Sequence, residues 1–213
     1  MRKKSLRNSL FAAALASVVV ACSLPGPRQE AARYSFMLEA AASGDDRRAV
    51  ASNTCPSIRI TTPGSAPGFK TSRMVYINQP PRLDYFAYHE WVDTPARMLE
   101  VLMATRIENA GLFDAVFTGT RDVSTALRLD SELRRLVQIF DRSGSSVRLD
   151  VKVNLIDTAT RSLVSSRIFR YEESASGENP VDGAAAANRA ASRFADDLID
   201  FLSASAMPLD CSS

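Results

Sequence analysis

Few side chains in this chain of 213 residues could do covalent chemistry: Cys22, Cys55, Cys211 and the single histidine, His89. Cys22 follows Val19, Val20 and Ala21. A thiolate is the only type of side-chain nucleophile here that forms a stable thioether to diacylglycerol, and the small Ala21 before Cys22 gives a peptidase access to the bond between them. Cys55 and Cys211 are left as a pair once Cys22 is acylated, and an oxidising compartment tends to close such a pair. His89 has no Cys/His cluster around it in the sequence, which argues against zinc or haem and leaves no metal-ligating set.

Other reactive groupings fail on spacing. No serine sits in a G-x-S-x-G elbow, and a Ser/His/Asp arrangement would rest entirely on His89. Neither G-x-G-x-x-G nor G-x-x-x-x-G-K-[ST] occurs, so the usual dinucleotide and phosphate loops are missing. Asp45-Asp46 falls in a polar loop and Asp196-Asp197 on the polar face of a helical pattern, where solvated charge is the simpler reading of both pairs. No catalytic residue and no cofactor is assigned.

The positions before Cys22 explain its chemistry. Arg2, Lys3, Lys4 and Arg7 make a basic start, and Leu10 to Ala21 is a run of twelve apolar or small residues. A helix of that length spans roughly 18 Å against the roughly 30 Å of a bilayer core, so the run reads as a signal-peptide core and not a membrane span. The order Val19, Val20, Ala21, Cys22 resembles the lipobox cut by the bacterial lipoprotein signal peptidase, with Val19 where leucine is usual. Ordinary secretory cleavage that leaves Cys22 a thiol is the alternative. Ser23 stands where Asp would commonly hold a lipoprotein at the inner membrane, and by that resemblance the protein is sorted to the outer membrane with its body in the periplasm. Three acyl chains anchor far more firmly than one.

The 26 basic residues against 24 acidic ones overstate the positive charge, because four of the basic ones lie in the leader. Without residues 1–21 the balance is 22 to 24, and with no Lys/Arg run there is no electrostatic case for nucleic-acid binding. Residues 22–33 carry two prolines and a glycine without an apolar period and read as a tether, which leaves 34–213 as a single domain.

Within that domain, Tyr34 to Leu38 reads as a short aromatic edge strand, Ser57 to Thr61 as another, and the residues between them as a polar loop. RMVYIN from Arg73 and LDYFAY from Leu83 are strand-like runs separated by Gln79-Pro80-Pro81-Arg82, where the prolines exclude one continuous strand. Asp93 or Thr94 caps a helix that Pro95 opens and Gly111 ends. Its apolar stripe holds Met98, Leu99, Leu102 and Arg106, flanked by Val101 and Ile107. Leu112 to Phe117 follows as a short strand. Leu127, Leu129, Leu133, Val137 and Ile139 stand at odd positions and favour a long strand, while Leu133, Leu136, Val137 and Phe140 also fit a helical stripe over Ser131 to Phe140. Val147 to Leu155 alternates cleanly, and a turn at Asp157 to Arg161 folds it onto Ser162 to Tyr171 as an antiparallel hairpin. Asp182 to Ser203 is a long amphipathic helix with Ala187, Ala191, Phe194, Leu198 and Phe201 on one face. Two main helices over a mixed, largely antiparallel sheet make an α/β sandwich.

The stretch 68–117 carries a pattern more specific than its elements. Arg73 to Tyr76 forms an R-x-x-Y strand, Tyr85 is the aromatic of an l-x-Y-[FY] strand, and Trp91 lies in a W-x-d-x-P segment. Met98 and Leu99 begin an M-L helix, and Gly111, Phe113 and Val116 close with G-x-F-x-x-V. In this the chain resembles the ABC-type transport auxiliary lipoprotein family (PqiC/YmbA-like), with the likeness extending more weakly over 34–203. The resemblance implies a three-layer α/β fold related to the TolB amino-terminal domain. It also implies a non-enzymatic partner of a periplasmic MCE (mammalian cell entry) protein and its ABC permease and ATPase, in a system moving lipids or other apolar molecules. It leaves a homo-oligomer as an open arrangement. The rival readings are a structural outer-membrane lipoprotein that bridges to peptidoglycan or envelope machinery, and a periplasmic hydrolase resting on His89.

Two surfaces are candidates for docking. Trp91, Tyr76, Tyr85 and Tyr88 are aromatics of the kind that anchor interfaces, and also of the kind that fill a core, which is the favoured reading for Trp91 and Tyr76. The outward face of 127–139, with Arg128, Arg134 and Arg135 against Asp130 and Glu132, is the second, and a solvated strand looks the same. A Cys55 to Cys211 bridge would tie the carboxyl-terminal tail to the sheet. Its loop encloses about 155 residues, for which chain entropy allows on the order of 4 to 5 kcal/mol as an upper figure; two free thiols are the competing reading.

Overall fold

A computed structural model of the protein describes residues 34–39, 57–119 and 123–206. Cys22, Cys55, Cys211, the Asp45-Asp46 pair, the leader and the tether lie outside the described residues.

One long strand organises the sheet. The nine strands are β1 (Tyr34–Phe36), β2 (Ile58–Ile60), β3 (Gly64–Ser65), β4 (Arg73–Ile77), β5 (Asp84–Trp91), β6 (Val116–Thr118), β7 (Leu127–Asp141), β8 (Gly144–Asp157) and β9 (Ser162–Ser174), and the helices are α1 (Pro95–Ala110) and α2 (Pro180–Ala206). One edge of β7 pairs with β8 along its whole length, and β8 pairs with β9, both antiparallel. The other edge of β7 is served in turn by β2 at Leu127 to Leu129, β3 at Glu132 and Leu133, and β4 at Gln138 and Ile139, all parallel. Residues 58–77 thus run beside β7 as one broken strand. The breaks fall in the Pro- and Gly-rich stretch 61–72, and backbone bonds from Thr61 N–H to the Leu129 carbonyl (3.1 Å) and from Ala66 N–H to the Leu133 carbonyl (2.9 Å) keep it on the edge. Outside these, β6 pairs with β2, β5 with β4, and β1 with β5. The parallel ladders are two or three residues long and the antiparallel hairpins carry most of the pairing, so the sheet is mixed and largely antiparallel, in the α/β sandwich expected.

Both helices pack into the same apolar core as the inward side chains of the sheet. On β8, Val147, Leu149, Val151, Val153 and Leu155 are all buried, with Arg148, Asp150, Lys152 and Asn154 half-buried on the other face. On α2, Ala184, Ala187, Ala191 and Ala195 let the helix backbone approach the sheet, and Phe194, Leu198 and Leu202 fill the space between. The helix starts at Pro180, two residues before the apolar pattern suggests, because Asn179 accepts the Asp182 N–H at 3.0 Å as its N-cap and Pro180 suits the first turn.

The helix α1 has the expected bounds, and Gly111 ends it in the left-handed conformation at φ 62° that a glycine adopts without Cβ strain. Thr94 occupies the cap position without a side-chain bond; Asp93 instead accepts the Thr94 N–H at 2.6 Å and holds Arg97 at 2.9 Å. Val101 departs from the expected stripe and is 66% exposed, whereas Met98, Leu99, Leu102, Met103 and Ile107 are buried. At about 100° per residue, Val101 lies roughly 150° from the centre of that buried face.

Residues 131–140 form strand and not helix, and the cause of the double pattern is a β-bulge. The register between β7 and β8 shifts between Leu133 and Arg135. One extra residue there moves the inward set from Leu127, Leu129 and Leu133 to Leu136 and Gln138, so the apolar spacing of three mimics a helical turn. The strand expected over Leu112 to Phe117 is shorter and ends one residue later, at Val116–Thr118, where it pairs with the three residues of β2.

The two long hairpins turn on aspartates. Asp141 accepts the Ser143 N–H at 2.8 Å and its hydroxyl, and Asp157 accepts the Thr160 N–H at 2.8 Å. These donors lower both carboxyl pKa values beneath the ordinary 3.8, chiefly the Ser143 hydroxyl for Asp141 and the Thr160 backbone for Asp157. A depressed folded pKa contributes stability that is present above the unfolded value and lost as pH falls through the folded one. Thermal unfolding of Asp141→Asn and Asp157→Asn variants is therefore expected to depend less on pH than the wild type below about pH 4. Parallel slopes for variant and wild type there would show that the turns contribute nothing to the acid sensitivity.

Candidate partner interface

The four aromatics singled out in the sequence go to four different environments. Trp91 is 5% exposed and belongs to the core. Tyr85 is half-buried beneath the Arg73 guanidinium, 4.0 Å from its ring centre, and its hydroxyl donates to the Gly68 carbonyl at 3.4 Å. Tyr88 is 52% exposed. Tyr76 lies 4.6 Å from Phe86 and 5.8 Å from Phe140, ring centre to ring centre.

Tyr76 is part of a longer feature that the sequence did not reveal. Phe86 meets His89 edge-on at 6.1 Å, and His89 stacks on Tyr34 at 5.2 Å and on Phe36 at 6.0 Å. Six rings from β1, β5, β4 and β7 thus touch in one row. All are half-buried except Tyr34, which is more than half exposed. His89 sits among rings here. The signal that could have exposed the row is strand order, since its members are scattered between positions 34 and 140.

The charged face belongs to β7, β8 and β9. Register places Glu132, Lys152 and Ile168 in one cross-strand row and Arg135, Asp150 and Arg170 in the next, followed by Val137, Arg148 and Glu172. The bulge at Arg134 and Arg135 turns two consecutive arginines to this side. Arg134, Arg135, Arg148 and Arg170 line an open hollow of about 650 Å³ with Asp150, Glu172 and Ile168. Arg134 pairs with Glu132 at 3.1 Å, Arg148 with Glu172 at 2.9 Å and Arg135 with Asp150 at 3.7 Å. Four guanidiniums face two carboxylates across the hollow, so it is net positive. Exposed pairs of this kind contribute only about 0 to 1 kcal/mol each, which lets them be remade against an incoming surface at little cost.

The second acidic pair is not simply solvated, as its place on a polar face suggested. Asp196 forms an ion pair with Arg106 that joins α2 to α1, and Asp197 accepts the Tyr171 hydroxyl at 2.6 Å. Burial, and then that bond to Asp197, push the Tyr171 phenol well above its ordinary pKa of 10.0. Both carboxylates fasten the helix layer to its neighbours. Among the described residues no group of three His, Cys, Asp or Glu could hold a metal, and no helix is long and apolar enough to cross a membrane.

Comparison with known proteins gives these surfaces a context. The family model described as the ABC-type transport auxiliary lipoprotein component matches residues 36–199. Among solved structures the chain is similar to protein XCC0632 from Xanthomonas campestris, of family DUF330, at TM-score 0.68 and 17% identity over 82% of this chain and 96% of that one. It is also similar to an uncharacterized protein at TM-score 0.63 and 7% identity over 81% of this chain and 99% of that one. At such identities the likeness shows a shared fold. No curated protein matches the chain in sequence.

Proposed function

The chain belongs to the ABC-type transport auxiliary lipoprotein family, and from that premise we propose that it is an outer-membrane lipoprotein, acylated on Cys22, serving an ABC system that carries an MCE protein. In this reading it is the non-enzymatic auxiliary subunit, and the system moves lipids or other apolar molecules across the periplasm. The observation that carries the proposal is the family match over 36–199, most of the folded body. The basic leader, the Val19 to Cys22 cleavage pattern and Ser23 support the anchor and its destination.

The net-positive face of β7, β8 and β9 is the docking surface in this reading, because its rim of exposed ion pairs can exchange partners and its apolar members, such as Ile168, can be covered. Tagged protein recovered from cross-linked cells is expected to bring down an MCE protein, and the double reversal Arg135→Glu with Arg170→Glu to reduce that yield several-fold. Recovery of peptidoglycan enzymes alone would favour a bridging lipoprotein instead. Radiolabelled palmitate is expected in the wild type and not in Cys22→Ala, and the wild type is expected to fractionate with the outer membrane. Label in the variant, or fractionation with the inner membrane, would refute the corresponding half. The Cys55 to Cys211 bridge is proposed on the same localisation: two thiols alkylated without prior reduction would show it unformed.

A further inference from the structure

The row of rings begins where the tether enters the fold. Tyr34, its first member, is twelve residues from Cys22. Fully extended, twelve residues reach about 40 Å at most. The entry point is held: β1 pairs in parallel with β5, the Glu39 N–H donates to Asn188 Oδ1 at 2.8 Å, and Asn188 Nδ2 donates to the Met37 carbonyl at 3.2 Å. From Tyr34 the row continues through His89 and Phe86 to Tyr76 and Phe140, each of them partly exposed.

We infer that this row seats the body of the protein on the bilayer that holds its anchor, with the rings at the level of the lipid headgroups. The inference rests on acylation of Cys22, as proposed above. Its own ground is the contiguity of six partly exposed rings with the end of the chain that leads to the anchor. Tyr, Phe and His present an apolar body, and Tyr and His add a polar tip, the combination that favours the membrane–water boundary. Several such rings acting together add to an anchor without needing to bind alone, since the tether already keeps them close to the membrane. A seated row fixes which way the remaining faces of the sheet point, and a body hanging freely from an extended tether would lack that constraint.

The test uses the full-length lipoprotein, purified from cells and reconstituted in vesicles of phosphatidylethanolamine and phosphatidylglycerol whose acyl chains carry bromine. Trp91 is the chain's single tryptophan and is buried, so an added indole can be read above it. Phe140→Trp and Tyr76→Trp report from the end of the row farthest from the tether, and either suffices if the other fails to fold. Leu163→Trp, at a β9 position 60% exposed and outside the row, is the control. Quenching of the row probes at least threefold stronger than of the control is expected. Equal quenching, with palmitate label present at Cys22, would overturn the inference and leave the lipidation reading intact. Absence of the label would overturn the lipidation reading and this inference with it. A row shielded from aqueous iodide only at high protein-to-lipid ratio would mean that a second copy covers it, and would overturn the inference as well.

Discussion

Replacing Phe194 by alanine is expected to cost about 3 to 5 kcal/mol, the range for deleting a fully buried aromatic ring. Phe194 is 0% exposed on the inner face of α2, and its ring meets Phe169 of β9 edge-on at 5.3 Å. Its neighbours along the helix face, Ala190, Ala191 and Leu198, are equally buried and mostly small, so they cannot swing in to fill the space. A domain of this size has roughly 5 to 15 kcal/mol of stability in all, so about a fifth of it or more is at stake. Urea unfolding reads the loss as a lower midpoint at unchanged slope. A change under about 1 kcal/mol would mean that the layer between α2 and β9 is packed more loosely than the ring geometry states.

The second large effect pits two opposing terms against each other at Gly183. Alanine in a helix is favoured over glycine by up to about 1 kcal/mol, which predicts stabilisation. A Cβ at this position, however, would fall on Oε1 of Gln138 and 2.5 Å from its Cδ. Gln138 is 3% exposed, and its Nε2 donates to Ser145 Oγ at 2.7 Å and to the Asn179 carbonyl at 3.1 Å, so moving it breaks two bonds in a buried place. Overpacking costs about 1 to 3 kcal/mol and an unsatisfied buried group a similar amount, so the contact outweighs the propensity and Gly183→Ala is expected to lose about 2 kcal/mol net. Shortening the obstacle tests the cause. Gln138→Ala in the Gly183→Ala background should destabilise less than it does in the wild type, and strictly additive losses would place the fault elsewhere.

Much of the architecture is legible in the residues, for identifiable reasons. The alternation Val147 to Leu155 belongs to a strand with one wet and one buried face, and period two has no rival there. Pro95 and Gly111 punctuate α1 because each has a backbone property that other residues lack. The family pattern of 68–117 lies inside the matched region 36–199 and on the elements it implied, from β4 through β5 and α1 to β6.

The surfaces were legible only in pieces. Of the four candidate aromatics, core was the simpler reading for Trp91 and Tyr76; Trp91 does lie inside, but Tyr76 is half-buried and joins the ring row, while Tyr85 sits under Arg73. Contact across strands depends on their order in the sheet, and that order is set by long-range pairing that no local pattern records. The charged strip was visible on β7 alone; its partners Asp150, Arg170 and Glu172 were assigned to it by the register of the two hairpins.

By itself the sequence determined most of the elements and the family, because period, capping and motif are local and depend on residues close in the chain. The tertiary structure decided whether 131–140 was strand or helix, since a bulge at Arg134 and Arg135 imitates helical spacing and only pairing with β8 tells them apart. It decided likewise which strand lies beside which, and so which side chains share a face. That choice comes from burying apolar surface between segments far apart in the chain, a free-energy difference that is summed over the whole fold and is written in no single stretch of residues.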